Sequence, residues 1–402
     1  MNAITKPERP FVHLHVKSQY TLLGALGSPK QLIKRAKKLG MTSLALTDEM
    51  AMFGAVEFST YCKKEGIHPI VGAELILAPG LRTEKNKPRD NARLVALVEN
   101  EAGYVFLNHL LSEGFLTGRH YVPRIDLPLI QELRDAGHHG LIFLSGDLRG
   151  PVCRLLAAGR DDEAEQWARD FDALVERNNF YLELMDLGWG ASAGGMGGEA
   201  DQRRINDGLR KISKATGIPL VVSNNVHYPS QERSFEHEIV MCLGMTQTLQ
   251  DEFRFRFPSD QFFMKSCDQM YALFEGDEKA LENTAKIAER CQFEFTFGNY
   301  HFPVYPGLNG RTPEEVLREL SRKGLEARLE VTLKSTPEDE KAAARVPYDE
   351  RLEVELGIIE QMGFAAYFLI VYDFIRWAKE QDIPVGPGRG SGAGSLVLFA
   401  LE

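Results

Sequence analysis

Residues 11–48 read FVHLHVKSQYTLLGALGSPKQLIKRAKKLGMTSLALTD, and their pattern decides the fold class. Phe11 to Val16 is a short β-rich run. Ser28-Pro29 then marks a helix start, a capping serine followed by proline at the first helical position, where its missing N–H is not needed. Leu32, Ile33, Ala36 and Leu39 share one helical face, Gly40 stops the helix, and Ser43 to Thr47 forms the next strand. This strand–helix–strand unit recurs along the chain. A helix is predicted over 55–65, strands over 68–77 and 92–98, a helix over 104–113, a strand over 141–145, a helix over 162–176, a strand over 180–185, a helix after Glu199 and a strand over 219–223. Repeated βα units imply an α/β fold with a parallel sheet. About seven strands in this stretch favour a closed barrel, with an open doubly wound sheet as the alternative.

Beyond residue 230 or so the pattern changes to amphipathic helices, over 278–291, 312–329, 348–362 and 367–380, so a barrel domain over 1–285 and a second, largely helical domain over 286–402 are expected. Gly188 to Gly198, GWGASAGGMGG, carries too many glycines for an element interior and reads as a surface insertion. Phe253 to Phe257, FRFRF, alternates with period two and reads as a half-buried strand. The basic residues of Arg318 to Arg328 read as a solvated helix face. The chain has 402 residues, a net charge of −10 and five scattered cysteines without a CxxC pair, which argues against a small basic nucleic-acid module and against a zinc knuckle or redox motif. No apolar run reaches the roughly 20 residues of a membrane helix, and Met1 to Pro10 is not followed by a signal-like apolar segment, so a cytoplasmic location is expected.

In βα architectures reactive groups gather where strands end. Here His13 and His15 close the first strand, Asp48 and Glu49 the second, Glu74 falls in the third, Arg93 begins the fourth, Asp147 follows LIFLS, and Asn224, Asn225 and His227 follow LVV. Imidazoles and carboxylates converging from several strands are what a divalent metal site requires. Each taken singly is also an ordinary loop residue. A second cluster lies at Ile383 to Leu396, IPVGPGRGSGAGSL, where glycines, Arg389 and a following helix suit a phosphate. A plain turn also accounts for those glycines, but gives Arg389 no role.

Five segments, HLHVKSQYTLLGA (13–25), LALTDEMAMFGAVEF (44–58), PIVGAEL (69–75), LIFLSGDL (141–148) and SNNVHY (223–228), together resemble the polymerase-and-histidinol-phosphatase (PHP) domain of the bacterial C-family polymerases, the DNA polymerase III alpha subunits. That resemblance implies a distorted seven-stranded (β/α) barrel that in its intact form binds up to three metal ions and hydrolyses phosphodiesters. His15, Asp48, Glu74 and His227 match the family's ligand positions. Lys17 stands at a His position, Glu49 at a His, Arg93 at a His, Asp147 at a Cys and Asn225 at an Asp. Lys17 and Arg93 put fixed positive charge where a +2 ion would sit, so ion pairs are expected in place of a working trinuclear centre. At most a remnant metal site on His15, Asp48, Glu74, Asp147 and His227 is implied.

The run MGFAAYFLIVYDFIRWAKEQDIPVGPGRGSGAGSLV (362–397) is similar to the start of the same family's polymerase core, a palm of the nucleotidyltransferase kind. By that resemblance Gly388, Arg389, Gly390 and Ser391 face an incoming nucleoside triphosphate. The palm aspartates that hold Mg²⁺ come later in the family, and the chain stops at Glu402, so this fragment alone is expected not to extend a primer. For the full protein the resemblance implies template-directed addition of deoxynucleotides, with primer-template DNA, dNTPs, Mg²⁺, a proofreading exonuclease subunit and other replisome subunits as partners. Two other readings stay open: a degenerate barrel serving as a scaffold or docking module, and a metal-dependent phosphoesterase.

Overall fold

The computed structural model describes residues 9–188, 202–299, 303–386, 388 and 390–401. They divide into two compact units, Met1–Phe295 and Thr296–Glu402.

Among its described residues the first unit holds six strands, β1 (Ser43–Leu46), β2 (His68–Leu77), β3 (Ala92–Val98), β4 (Leu141–Leu144), β5 (Phe180–Leu184) and β6 (Leu220–Val222), in one sheet of that order. Around it lie α1 (Pro29–Lys38), α2 (Ala55–Glu65), α3 (Glu101–Leu116), α4 (Leu127–Asp135), α5 (Pro151–Ala157), α6 (Asp161–Leu174), α7 (Gln202–Thr216), α8 (Ser234–Gly244), α9 (Cys267–Leu273) and α10 (Glu278–Arg290). The local signals work as expected. Ser28 and Gln31 form a capping box at α1 with Pro29 inside it, and Leu32, Ile33 and Ala36 are buried. Apart from Gly188, the glycine-rich insertion lies outside the described residues.

Three expectations are corrected. The sheet is mixed, because β3 runs antiparallel to both β2 and β4 while the β1–β2, β4–β5 and β5–β6 pairs are parallel. A parallel return needs a crossover element, and the connection from 78 to 91 holds only the short 3₁₀ turn Pro88–Asp90. Phe11 to Val16 forms no ladder strand, yet its backbone takes the seventh place in the ring. Ala45 N–H donates to the His13 carbonyl (3.0 Å) and Thr47 N–H to that of Val16 (2.7 Å), while on the other side Lys17 N–H donates to the Val226 carbonyl (2.8 Å) and Val226 N–H to that of His15 (2.9 Å). The FRFRF run is irregular rather than a strand: Phe257 packs against His227, His237 and Phe262, and Phe253 is exposed. Helix α10 belongs with the barrel through its whole length, since Asn283 donates to the Leu220 carbonyl of β6 (2.8 Å) and Thr284 accepts from Val12 N–H (2.9 Å).

Among its described residues the second unit has helices and loops but no strand, its α-helices being α11 (Pro313–Thr332), α12 (Lys341–Gln361), α13 (Ala365–Glu380) and α14 (Leu396–Leu401). Leu317, Leu325, Leu352, Leu356, Leu369, Val397 and Ala400 form its core. Arg318 and Arg322 are not a freely solvated face. Arg318 pairs with Glu353 and Glu360, and Arg322 with Glu353, tying α11 to α12.

Candidate functional site

The strand ends of the barrel deliver a closed network of charges. Lys17 projects inward from the opening segment, 1% exposed, and its Nζ lies 3.0 Å from Glu74 Oε1 and 2.6 Å from Asn225 Oδ1. His15 Nε2 and His227 Nε2 stand 3.4 and 3.5 Å from the same nitrogen. His15 also meets two carboxylates, with Nδ1 3.1 Å from Glu183 Oε1 and Nε2 3.2 Å from Glu74 Oε1. A ring nitrogen donating to Glu74 has no lone pair left for Lys17, so the His15–Lys17 approach is a packing contact. Burial alone would lower the His15 pKa, but Glu183 first among its charged neighbours outweighs this and raises it. His227 is the reverse case: Nδ1 faces the Gly24 carbonyl at 2.8 Å, which leaves Nε2 as an acceptor toward Lys17, and burial followed by the Lys17 charge holds its pKa well below the usual histidine value.

The other carboxylates face elsewhere. Asp48 accepts from Ser18 N–H (2.7 Å), Ser18 Oγ (2.8 Å) and Thr21 Oγ1 (2.7 Å), so it organises the loop after the opening segment. Burial pushes its pKa up despite these bonds. Glu49 pairs with Arg93 at 3.1 Å, both part-exposed. Asp147 is gripped by Arg149, whose Nη2 lies 3.0 Å from Oδ2, and it accepts a further bond from Asn225 Nδ2 at 2.8 Å. Burial works against the Arg149 charge, and Asp147 and Glu74 outweigh it. Asn225 thus bridges the two halves, accepting from Lys17 and donating to Asp147.

This arrangement does not fit a metal centre. The side chains that converge do so on an ammonium, and Asp48 and Asp147 have turned to other partners. Among the described residues no group of three or more His, Cys, Asp and Glu side chains is placed to hold a metal ion. Sequence reasoning missed two members of the network, Arg149 and Glu183. Glu183 is the only charged residue in the otherwise apolar strand FYLEL, and Arg149 follows Asp147 by two positions, a spacing that would have flagged a local pair.

The glycine-rich loop is only partly as expected. Arg389 lies outside the described residues, as does the Ser391 side chain. Gly388 and Gly390 are described, and Gly390 has φ +82°, a conformation other residues adopt at a cost. A side chain at Gly386, Gly388, Gly390 or Gly394 would meet nothing within 4 Å, so the backbone there is uncovered. The N-terminus of α14, expected to face a phosphate, already has an anion. Glu355 of α12 accepts from Ser395 Oγ (2.9 Å) and Val397 N–H (3.1 Å). Burial pushes its carboxyl up, but Arg351 and these two bonds outweigh that and hold it low. In sequence Glu355 looks like any other acid on a helix. Glu355→Ala is expected to cost about 1–2 kcal/mol, read as a shift in the urea midpoint, while Arg351→Ala, which removes only an exposed partner, changes it by less than about 0.5 kcal/mol.

Comparison with known proteins adds the family. Residues 13–187 match the family described as PHP domain, and 315–402 that described as Bacterial DNA polymerase III alpha NTPase domain. The DNA polymerase III subunit alpha of Treponema pallidum is 39% identical over 98% of the chain, and that of Pseudomonas aeruginosa is likewise 39% identical over 98%. Over nearly its whole length the chain is thus similar to DNA polymerase III alpha subunits. It spans about a third of the length of these relatives, 32% in both cases. An amidohydrolase structure from Chromobacterium violaceum aligns with 55% of the chain at 15% identity and a TM-score of 0.35. The ion-paired barrel mouth thus lies within the stretch that matches the PHP domain family, and the helical unit holds the stretch that matches the alpha NTPase domain family. Among its described residues no single helix is long and apolar enough to cross a membrane.

Proposed function

We propose that this chain is part of a DNA-directed DNA polymerase, in which the barrel is a scaffold and the loop at 386–395 receives the triphosphate of an incoming deoxynucleotide. The observation that carries this is the uncovered backbone at Gly386, Gly388, Gly390 and Gly394, inside the stretch 315–402 that matches the alpha NTPase domain family. Arg389 supplies a guanidinium with bidentate geometry toward phosphate oxygens, and Gly388, Gly390 and Ser391 bring backbone N–H groups close. The helix end behind the loop adds little, because Glu355 already neutralises it. Bound Mg²⁺ would supply charge neutralisation for the phosphates in such a polymerase, and the part of this chain would be to hold and orient the triphosphate. Primer-template DNA, dNTPs, a proofreading exonuclease subunit and other replisome subunits are its partners on this reading, and the cytoplasm is its location. The scaffold reading of the barrel is favoured over hydrolysis by the Lys17 ammonium at the point where the barrel's donors meet.

Calorimetric titration of this chain with dATP tests the loop. Binding is expected with a Kd of roughly millimolar, weakened by added salt and lost in Arg389→Ala. Equal affinity in the wild-type and Arg389→Ala chains would make the loop a turn and overturn the reading.

A further inference from the structure

We infer, on the reading that the loop at 386–395 receives a triphosphate, that Arg351 is a second phosphate-binding residue and that Glu355 is the internal anion from which an incoming triphosphate draws it away. Beside that loop lies an open cavity of about 480 Å³, whose lining includes Tyr348, Arg351 and Glu355 of α12 together with Gly394, Ser395 and Phe399. Arg351 and Glu355 are the charged groups of that lining, and Tyr348 and Phe399 give it aromatic walls. A cation facing this cavity faces the same glycine-rich backbone as the phosphates.

Glu355 already makes the bonds that a phosphate oxygen would make. Its Oε2 accepts from Ser395 Oγ (2.9 Å) and Val397 N–H (3.1 Å), while Oε1 accepts from Arg351 Nε (2.7 Å). The glutamate side chain is 11% exposed and the arginine side chain 62%, so the anion is enclosed and the cation open to water. Among the described residues neither terminal nitrogen of Arg351 has a protein partner, which leaves most of a planar fork of five N–H groups for two phosphate oxygens at once.

The pair is easily exchanged. Arginine stands four residues before the glutamate on α12, the less favourable order for such a pair, and an exposed guanidinium gains little from one carboxylate in water. A triphosphate offers several oxygens and more charge, so Arg351 turns to it and Glu355 stays on Ser395 and Val397. The carboxylate is then a like charge beside the phosphates and weakens their binding. Glu355 therefore anchors the loop in the free chain and limits the affinity of the bound one. A pair that only braces α12 gives the same sign for the loss of either partner; a cation restrained by its anion gives opposite signs.

Calorimetric titrations with dATP and with inorganic tripolyphosphate separate these cases. Glu355→Gln keeps an amide oxygen for Ser395 and Val397 but loses the charge, and is expected to bind dATP about tenfold more tightly than the wild type, as for one like charge removed from a wet site. Arg351→Ala is expected to bind dATP about fivefold more weakly with a nearly unchanged urea midpoint. Tripolyphosphate should show the same two shifts, because both residues act on phosphate. Weaker binding in both variants, or wild-type affinity in either, overturns the inference. So do opposite shifts seen with dATP and absent with tripolyphosphate, which place Arg351 on the base or sugar. Should Glu355→Gln not fold, Arg351→Ala decides alone: weaker dATP binding at a nearly unchanged midpoint supports the inference, and any other result counts against it. Arg389→Ala tells the two readings apart. If it binds dATP as the wild type does, or if no chain binds dATP, the triphosphate reading of the loop falls and this inference with it. If Arg389→Ala alone among the variants changes the affinity, only the role given to Arg351 and Glu355 falls.

Discussion

Glu74→Gln should destabilise the barrel by about 3–5 kcal/mol, the largest loss expected from any isosteric change in this chain. The shape is retained, so packing contributes nothing. What changes is that a fully buried ammonium, tied to Glu74 at 3.0 Å, is left facing neutral oxygens only, with Arg149 Nη2 another positive group 3.8 Å from the same Glu74 oxygen. Breaking one side of a buried pair costs more than the pair contributes, because the surviving charge keeps its desolvation penalty. Acid titration adds a second readout. Burial on its own would push the Glu74 carboxyl up, and Lys17, then the His15 hydrogen bond, Arg149 and Arg93 overcome this and hold it well below the usual range. A carboxyl lowered in the folded state stabilises fully above its unfolded value of about 4.3, and that contribution fades as pH falls below it. Urea midpoints between pH 6 and pH 3 should therefore fall more steeply for the wild type than for Glu74→Gln. Asp48, raised by burial, works with the opposite sign in both proteins and cancels from the comparison. Parallel curves, or a neutral-pH loss below about 1 kcal/mol, would show that Lys17 does not need this carboxylate.

Gly324→Ala is the second large expected effect, and it acts in the helical unit. A Cβ at this position of α11 would lie 1.8 Å from the Ala400 carbonyl oxygen and 2.8 Å from its carbon. Both atoms belong to the backbone of α14, so no side-chain rotation relieves the overlap and one helix must move. Overpacking of this kind costs about 3 kcal/mol. Moving α14 also pulls Ser395 and Val397 from Glu355, so the loop before the helix loses its anchor. The urea midpoint of the helical unit should drop, and dATP binding should become undetectable. A Gly324→Ala chain with wild-type midpoint and wild-type titration would show that the α11–α14 approach sets neither stability nor loop position.

Much of the barrel is legible in sequence because its signals are local. The helix over Ala55–Glu65 and the strands over His68–Leu77 and Ala92–Val98 are bounded by glycine, proline and charge, and each fills its period without interruption. Strand direction is not local. The antiparallel course of β3 follows from a connection too poor in helix to cross over, which the eye trained on βα repeats passes by. The site divides in the same way. His15, Lys17, Glu74, Asn225 and His227 stand at strand ends and meet as that placement suggests, whereas Asp48 turns to Ser18 and Thr21, close neighbours of Lys17 in the chain. Partners distant in sequence leave no trace in one chain. Nothing in the spelling of α12 says that Glu355, rather than Glu353 or Glu360, will meet the start of α14 forty residues on.

The hydrogen bond between Lys17 and Asn225 joins residues 208 positions apart, across the seam that closes the ring. During synthesis at 5–20 residues per second, His15 and Lys17 leave the ribosome roughly 10–40 s before Asn225 and His227 exist. For that interval the opening segment has β1 as a neighbour but no second edge, and its lysine and histidine remain in water with only half their eventual company. Burial of the ammonium is thus a late event in the life of the nascent chain, and a barrel interrupted before residue 225 is left with an open edge and with a Lys17 that lacks its Asn225 acceptor.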